Sequence, residues 1–208
     1  MPETLAGPPE PPAFGAARAS VREARIRAEV TMAEIPAPGH LAPFSLALAA
    51  DVGAGGIISP GVVPIGHNPD ALLGTGRFVL LHDPSEPEAW GGAFRIVCFA
   101  QAPLETDIGV DPFLADVAWS WLVDALDLRG AEYSAASGTA TKILSTGFGE
   151  LASHGDGAQI ELRASWTPSG GEVAAHVESW SELLCMLAGL PPAIEGVSLL
   201  STRRAGRE

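Results

Sequence analysis

Lysine is nearly missing from this sequence. Lys142 stands alone, and with eleven arginines it meets 25 aspartates and glutamates, for a formal charge of −13 and an isoelectric point near 4.7. A field of that sign repels phosphate backbones and anionic lipid head groups, so direct nucleic-acid binding and membrane attachment are not expected. Cysteine is scarce too. Cys98 and Cys185 are too few for a disulfide framework and lack metal-ligand spacing; their settings, FRIVCFAQ and ELLCMLAG, predict buried free thiols in a reducing compartment. Long hydrophobic runs are also lacking. The most apolar region, Phe44 to Gly66, is broken by Asp51, glycines and prolines well short of a membrane span. The opening MPETLAGPPEPP has neither a basic nor an apolar signal segment, and the expectation is a soluble cytoplasmic protein.

Catalytic signatures are equally thin. DVGAGG lacks the G-x-G-x-x-G spacing, and the lone lysine sits in a strand pattern, which excludes a Walker loop. The histidines His40, His67, His82, His154 and His176 are scattered, with no H-x-x-x-H pair. His82-Asp83 could supply an oriented base, but a His-Asp-Pro turn accounts for it more simply. No G-x-S-x-G or comparable scaffold supports a nucleophile. No catalytic, metal or cofactor residue is assigned.

What is present is a core. Hydrophobic residues make up 47% of the 208, with a mean hydropathy of +0.22, which excludes a mainly disordered chain. The length suits one domain that buries ~70% of its unfolded surface. Residues 1–11 and 193–208 read as flexible tails flanking a domain over 12–192. Phe14, Ala17, Val21, Ala24 and Ala28 fall at helical spacing, with Arg18, Arg22 and Arg25 alongside, and predict a helix over 13–28. EIPAPGHLAP is a connector, and FSLALAA a strand. Residues 51–76, rich in glycine and proline, read as a long loop with an apolar middle, GIISPGVVPIG. RFVLLHD and AFRIVCFAQAP follow as strands, the second apolar on both faces and hence central.

Asp111 and Pro112 predict the start of a helix from Phe113 to Leu128, closed by Gly130. On its wheel, Leu114, Val117, Trp121, Ala125 and Leu128 share one arc, which assigns Trp121 to the core. Trp119 falls at the boundary beside Leu126, where partial cover by the core and contact with a partner both stay open. GTATKILSTGFG and AQIELRASWTP read as two more strands, the second with one wet face, and residues 176–188 as a last helix with Trp180 in the core. The order α-β-β-β-α-β-β-α predicts an α+β domain with a five-stranded, mainly antiparallel sheet packed by helices. That order is similar to the type III secretion chaperone-like fold, whose small acidic members bind other polypeptides; this is analogy only.

The words EIPAP, LAPFSLAL, GRFVLLHDP, GGAFR, WSWL, SGTAT, RASWTP and SWSELLCMLAGLPP together resemble an actinobacterial family of uncharacterised proteins, domain of unknown function 3000, over residues 14–192. The resemblance implies an actinobacterial cytoplasmic protein and carries no assigned activity. The resemblance further implies a gene that, as is often the case in that family, neighbours one for a ribonuclease-D-like protein, and hence an RNA-metabolism accessory role as one reading, against the acidic charge.

The residues favour a non-catalytic protein-interaction or adaptor module, a homodimer or bound to another protein through a sheet edge or through Ile57, Ile58, Val62, Val63 and Ile65, with Trp119 as a further contact. The alternative is a small anionic-ligand binder or enzyme with a site where Arg18, Arg22 and Arg25 converge. The competing account of those arginines is a solvated helix face paired with Asp116, Asp124, Asp127 or other acids.

Overall fold

In the computed structural model, residues 9–53 and 72–192 are described. Pro12, with its fixed φ, opens helix α1 (Pro12–Glu23), and Phe14, Ala17 and Val21 turn inward as their spacing predicts. The helix ends five residues earlier than expected, where Ala24 goes extended at ψ 131°. Four antiparallel strands follow: β1 (Val30–Ile35), β2 (Phe44–Gly53), β3 (Leu72–His82) and β4 (Phe94–Leu104). A single turn α2 (Thr106–Gly109) leads into α3 (Leu114–Leu128), then β5 (Tyr133–Ser145), a 3₁₀ helix (Gly149–His154), β6 (Gly157–Pro168) and α4 (Ala174–Leu187).

Among the described residues the fold is thus α+β, with four helices and one open sheet of six antiparallel strands in the order β1-β2-β3-β4-β6-β5. The central place of β4 and the alternation of β6 are as the pattern predicts. One strand more than expected is present: β1, VTMAEI, is a short edge strand with only Val30 buried, so it shows no alternation of apolar and polar residues. The 51–76 loop also shrinks from both ends. Asp51 pairs with Thr75, so 51–53 extend β2 and 72–76 begin β3.

Glycines that read as loop punctuation there permit close packing instead. A Cβ on Gly76 would lie 2.8 Å from Leu184, from Trp180 and from the Phe99 carbonyl. That position lets α4 settle directly onto the sheet. α4 is buried on nearly every side, and Trp180 is fully buried with its indole N–H donating to the Phe99 carbonyl at 3.2 Å. Cys98 and Cys185 are buried free thiols, as their settings predict.

α3 corrects the sequence wheel. Its buried residues are Leu114, Ala118, Leu122, Ala125 and Leu126, while Val117 is 39% and Leu128 84% exposed and Trp121 is half-buried. Ala118 and Ala125 let α3 approach α4 closely; Ser179 of α4 donates to the Ala125 carbonyl at 2.9 Å. Since α3 is apolar on two sides, periodicity alone could not fix which side faces in.

Candidate functional site: the bare face of the sheet

The pleat sends alternate residues to opposite faces, and all four described helices pack on the same one. Phe14 of α1 meets Phe44 and His82; Trp180 meets Phe78; Trp119 of α3 lies against Gly138; Gly109 of α2 abuts Ala158. The opposite face carries no helix among the described residues. Register places its side chains in rows across the strands: Asp51, Thr75, Gln101 and Glu161 in one; Ala49, Arg77, Phe99 and Arg163 in the next; Ala47, Val79, Val97 and Ser165 in a third.

The middle of this face is a shallow groove of about 390 Å³ lined by Arg77, Val79, Val97, Phe99 and Arg163. Val97, at the sheet centre, is 40% exposed. Arg163 is held over the Phe99 ring at 5.3 Å and bonds Glu161 at 3.3 Å. Arg77 donates to the Gly76 carbonyl at 3.2 Å and meets no carboxylate among the described residues. At one end of the face, Arg95 donates to Thr167 at 2.9 Å, Ser165 at 2.6 Å and the Ala135 carbonyl at 3.2 Å; burial among neutral groups draws its guanidinium below the usual range. Ala135, at φ 50°, sits in the bulge of β5 that presents this carbonyl. Among the described residues of its strands, three guanidinium groups (Arg77, Arg95, Arg163) against two carboxylates (Asp51, Glu161) make the face weakly cationic in a strongly anionic chain.

The arginines singled out by sequence behave differently from one another. Arg18 bonds Glu34 at 3.2 Å, lies 3.7 Å from Glu10 and stacks over Phe14. Arg22 lines a separate open pocket with Val21, Met32, Glu34 and Leu48. Arg25 lies past the end of α1, and its backbone N–H donates to Glu178 at 2.7 Å. Trp119 is half-buried, with its ring so close over β5 that a Cβ on Gly138 would come within 2.6 Å of it. Ile57, Ile58, Val62, Val63 and Ile65 lie outside the described residues. His82 is buried among Phe14, Phe44 and Phe94, with Nδ1 3.1 Å from the Ala93 carbonyl, while Asp83 turns away to accept from Ser85.

Sequence reasoning missed a polar cluster on the helix side. Glu182 of α4, 5% exposed at its side chain, receives Arg27 at 3.3 Å and Arg129 at 3.1 Å. Arg27 also bonds Glu29 at 2.9 Å, and that hydrogen bond holds the Glu29 carboxyl below the usual carboxylate range. The residues come from three distant segments, so no spacing could have announced them.

A family model described as protein of unknown function (DUF3000) matches residues 10–198. No curated protein and no solved structure matches the chain. Among the described residues, no helix is long and apolar enough to cross a membrane.

Proposed function

The chain belongs to the DUF3000 family, and from its own geometry we propose that it is a non-catalytic protein-interaction module, of the adaptor kind, that receives polypeptide on the bare face of its sheet. The observation that carries this reading is Val97. A valine at the centre of a six-stranded sheet is 40% exposed, between Val79, Phe99 and two arginines, on the face that an antiparallel sheet turning to water fills with polar residues. Tyrosine, tryptophan and arginine favour such contacts, and Arg77 and Arg163 stand beside the apolar strip with most of their hydrogen-bonding capacity open. A second copy of the chain is the simplest occupant that would cover the face, as in a homodimer or a larger assembly of copies. Two buried cysteines that remain free fit a reducing cytoplasm, and the arginine-rich, lysine-poor composition fits an actinobacterial source.

The reading is tested with Val97→Glu, which places a charge in the groove and, being on an exposed position, leaves the folded core intact. Both proteins are immobilised and exposed to soluble extract of the native host, with matched thermal melting as the control for folding. The expected result is a set of proteins retained by the parent chain and lost with Val97→Glu. Identical retention by both, or none by either, overturns it.

A further inference from the structure

We infer that the bare sheet face docks the outward side of α3 from a second copy of this chain, joining molecules head to tail; the inference rests on the face being a protein-binding surface. α3 carries a second apolar stripe that nothing described covers. Phe113 is 68%, Val117 39% and Leu128 84% exposed, with half-buried Trp121 on the same side. Successive steps of four residues from Phe113 to Val117 to Trp121 keep these side chains in line. Asp124 lies within the stripe and Asp116 beside it, both exposed, and neither meets a cation among the described residues.

The two surfaces complement one another in charge and in size. One is apolar and bordered by Arg77 and Arg163; the other is apolar, with Asp124 within it and Asp116 at its edge. Arg77 on β3 and Arg163 on β6 flank β4 across two strand spacings, about 9–10 Å. That is the width of a helix with its side chains, about 10 Å. Fifteen residues of α3 run roughly 22 Å, which fits within the roughly 36 Å of the eleven-residue β4 along which the helix would lie. Helix on sheet is also the packing the fold already uses on its other face. Because the surfaces lie on opposite layers of one molecule, the contact is heterologous and propagates into a ring or a chain.

Sedimentation velocity over a hundredfold range of concentration, in low and high salt, tests this with two charge-reversed proteins. One carries Arg77→Glu and Arg163→Glu, the other Asp116→Arg and Asp124→Arg; all four positions are exposed or partly so, and circular dichroism checks the fold. The parent chain is expected to grow past the monomer with concentration and to shrink back in high salt. Each reversed protein alone is expected to remain a monomer. Their equimolar mixture should associate past the dimer, because the unchanged surfaces of the two proteins match one another and so do the two reversed ones, and a chain carrying all four changes should associate again. A parent chain that stays monomeric overturns the inference while leaving the Val97→Glu capture to decide the broader reading. Association that neither reversal weakens, or that only the sheet reversal weakens, overturns it as well.

Discussion

His176 enters the core as a neutral acceptor. It is 1% exposed, and its Nδ1 receives the Trp166 indole N–H at 3.1 Å, joining α4 to the end of β6. Burial lowers its pKa from 6.5 to about 4. A lowered imidazole pKa means that, as pH falls, the unfolded chain takes up this proton before the folded one does. Stability is therefore unaffected above about pH 6.5 and declines as the pH falls from there toward 4, by about 3 kcal/mol once both states are protonated. His176→Asn keeps an acceptor near Nδ1 but cannot titrate. Urea unfolding at pH 7.5 and 4.5 is expected to show the parent chain losing about 2.5 kcal/mol more than the variant over that interval. Parallel losses in the two proteins would refute the assignment. The thiols obey the same rule in the other direction: burial pushes Cys98 up to about 12 and Cys185 up to about 11, which leaves both unreactive at neutral pH.

At the scale of elements, α3 shows what periodicity can and cannot deliver. Its helical state was plain from the chain, yet its orientation was not, because Phe113, Val117 and Trp121 repeat at the same four-residue spacing as Leu114, Ala118 and Leu122. Packing decided between the two stripes: the one that faces in mixes Leu114, Leu122 and Leu126 with Ala118 and Ala125, whose small side chains let α4 come close. Leu122→Ala is accordingly expected to cost about 2–5 kcal/mol, since Leu122 is 1% exposed, and Leu128→Ala less than about 0.5 kcal/mol. Chemical denaturation of the two single variants measures this, and equal costs would restore the wheel read from sequence. Other elements follow the same logic. β6 was legible because hydrophobic and polar residues alternate strictly. β1 was not, since a six-residue edge strand of Val, Thr, Met, Ala, Glu and Ile has only Val30 buried. Gly74 and Gly76 were read as loop because their purpose, room for α4, exists only once the two segments meet. The bare face escaped notice for a related reason: Arg77, Val97 and Arg163 are unremarkable singly and become neighbours only through strand register.

At the scale of the whole molecule, Glu182 ties together three segments that the sheet does not join directly. Arg27 comes from the stretch between α1 and β1, Arg129 from the end of α3, and Glu182 from α4, while Arg27 also donates to the Pro191 carbonyl at 2.8 Å beyond α4. The carboxylate is 5% exposed but the arginines are 17% and 24% exposed, so the guanidinium groups keep some hydration and the carboxylate has very little. Coulomb attraction is therefore weakly screened at Glu182, unlike the Arg18–Glu34 pair, whose side chains are 29% and 48% exposed. Glu182→Gln leaves two cations converging on an amide and should cost about 1–3 kcal/mol, whereas Arg18→Ala should cost under about 1 kcal/mol. The network predicts more than a drop in stability. If Glu182 is a shared acceptor, Glu182→Gln and Arg129→Gln should combine to less than the sum of their separate costs, because the second change removes an interaction already lost. Hydrogen exchange should also quicken together in residues 25–29 and at the C-terminal end of α3, two regions that Glu182 joins alongside Glu178, which accepts the Arg25 N–H at 2.7 Å and lies 3.8 Å from Arg129. Additive costs, or faster exchange confined to α4, would show that Glu182 serves each arginine separately and that the helical layer is held by its apolar contacts alone.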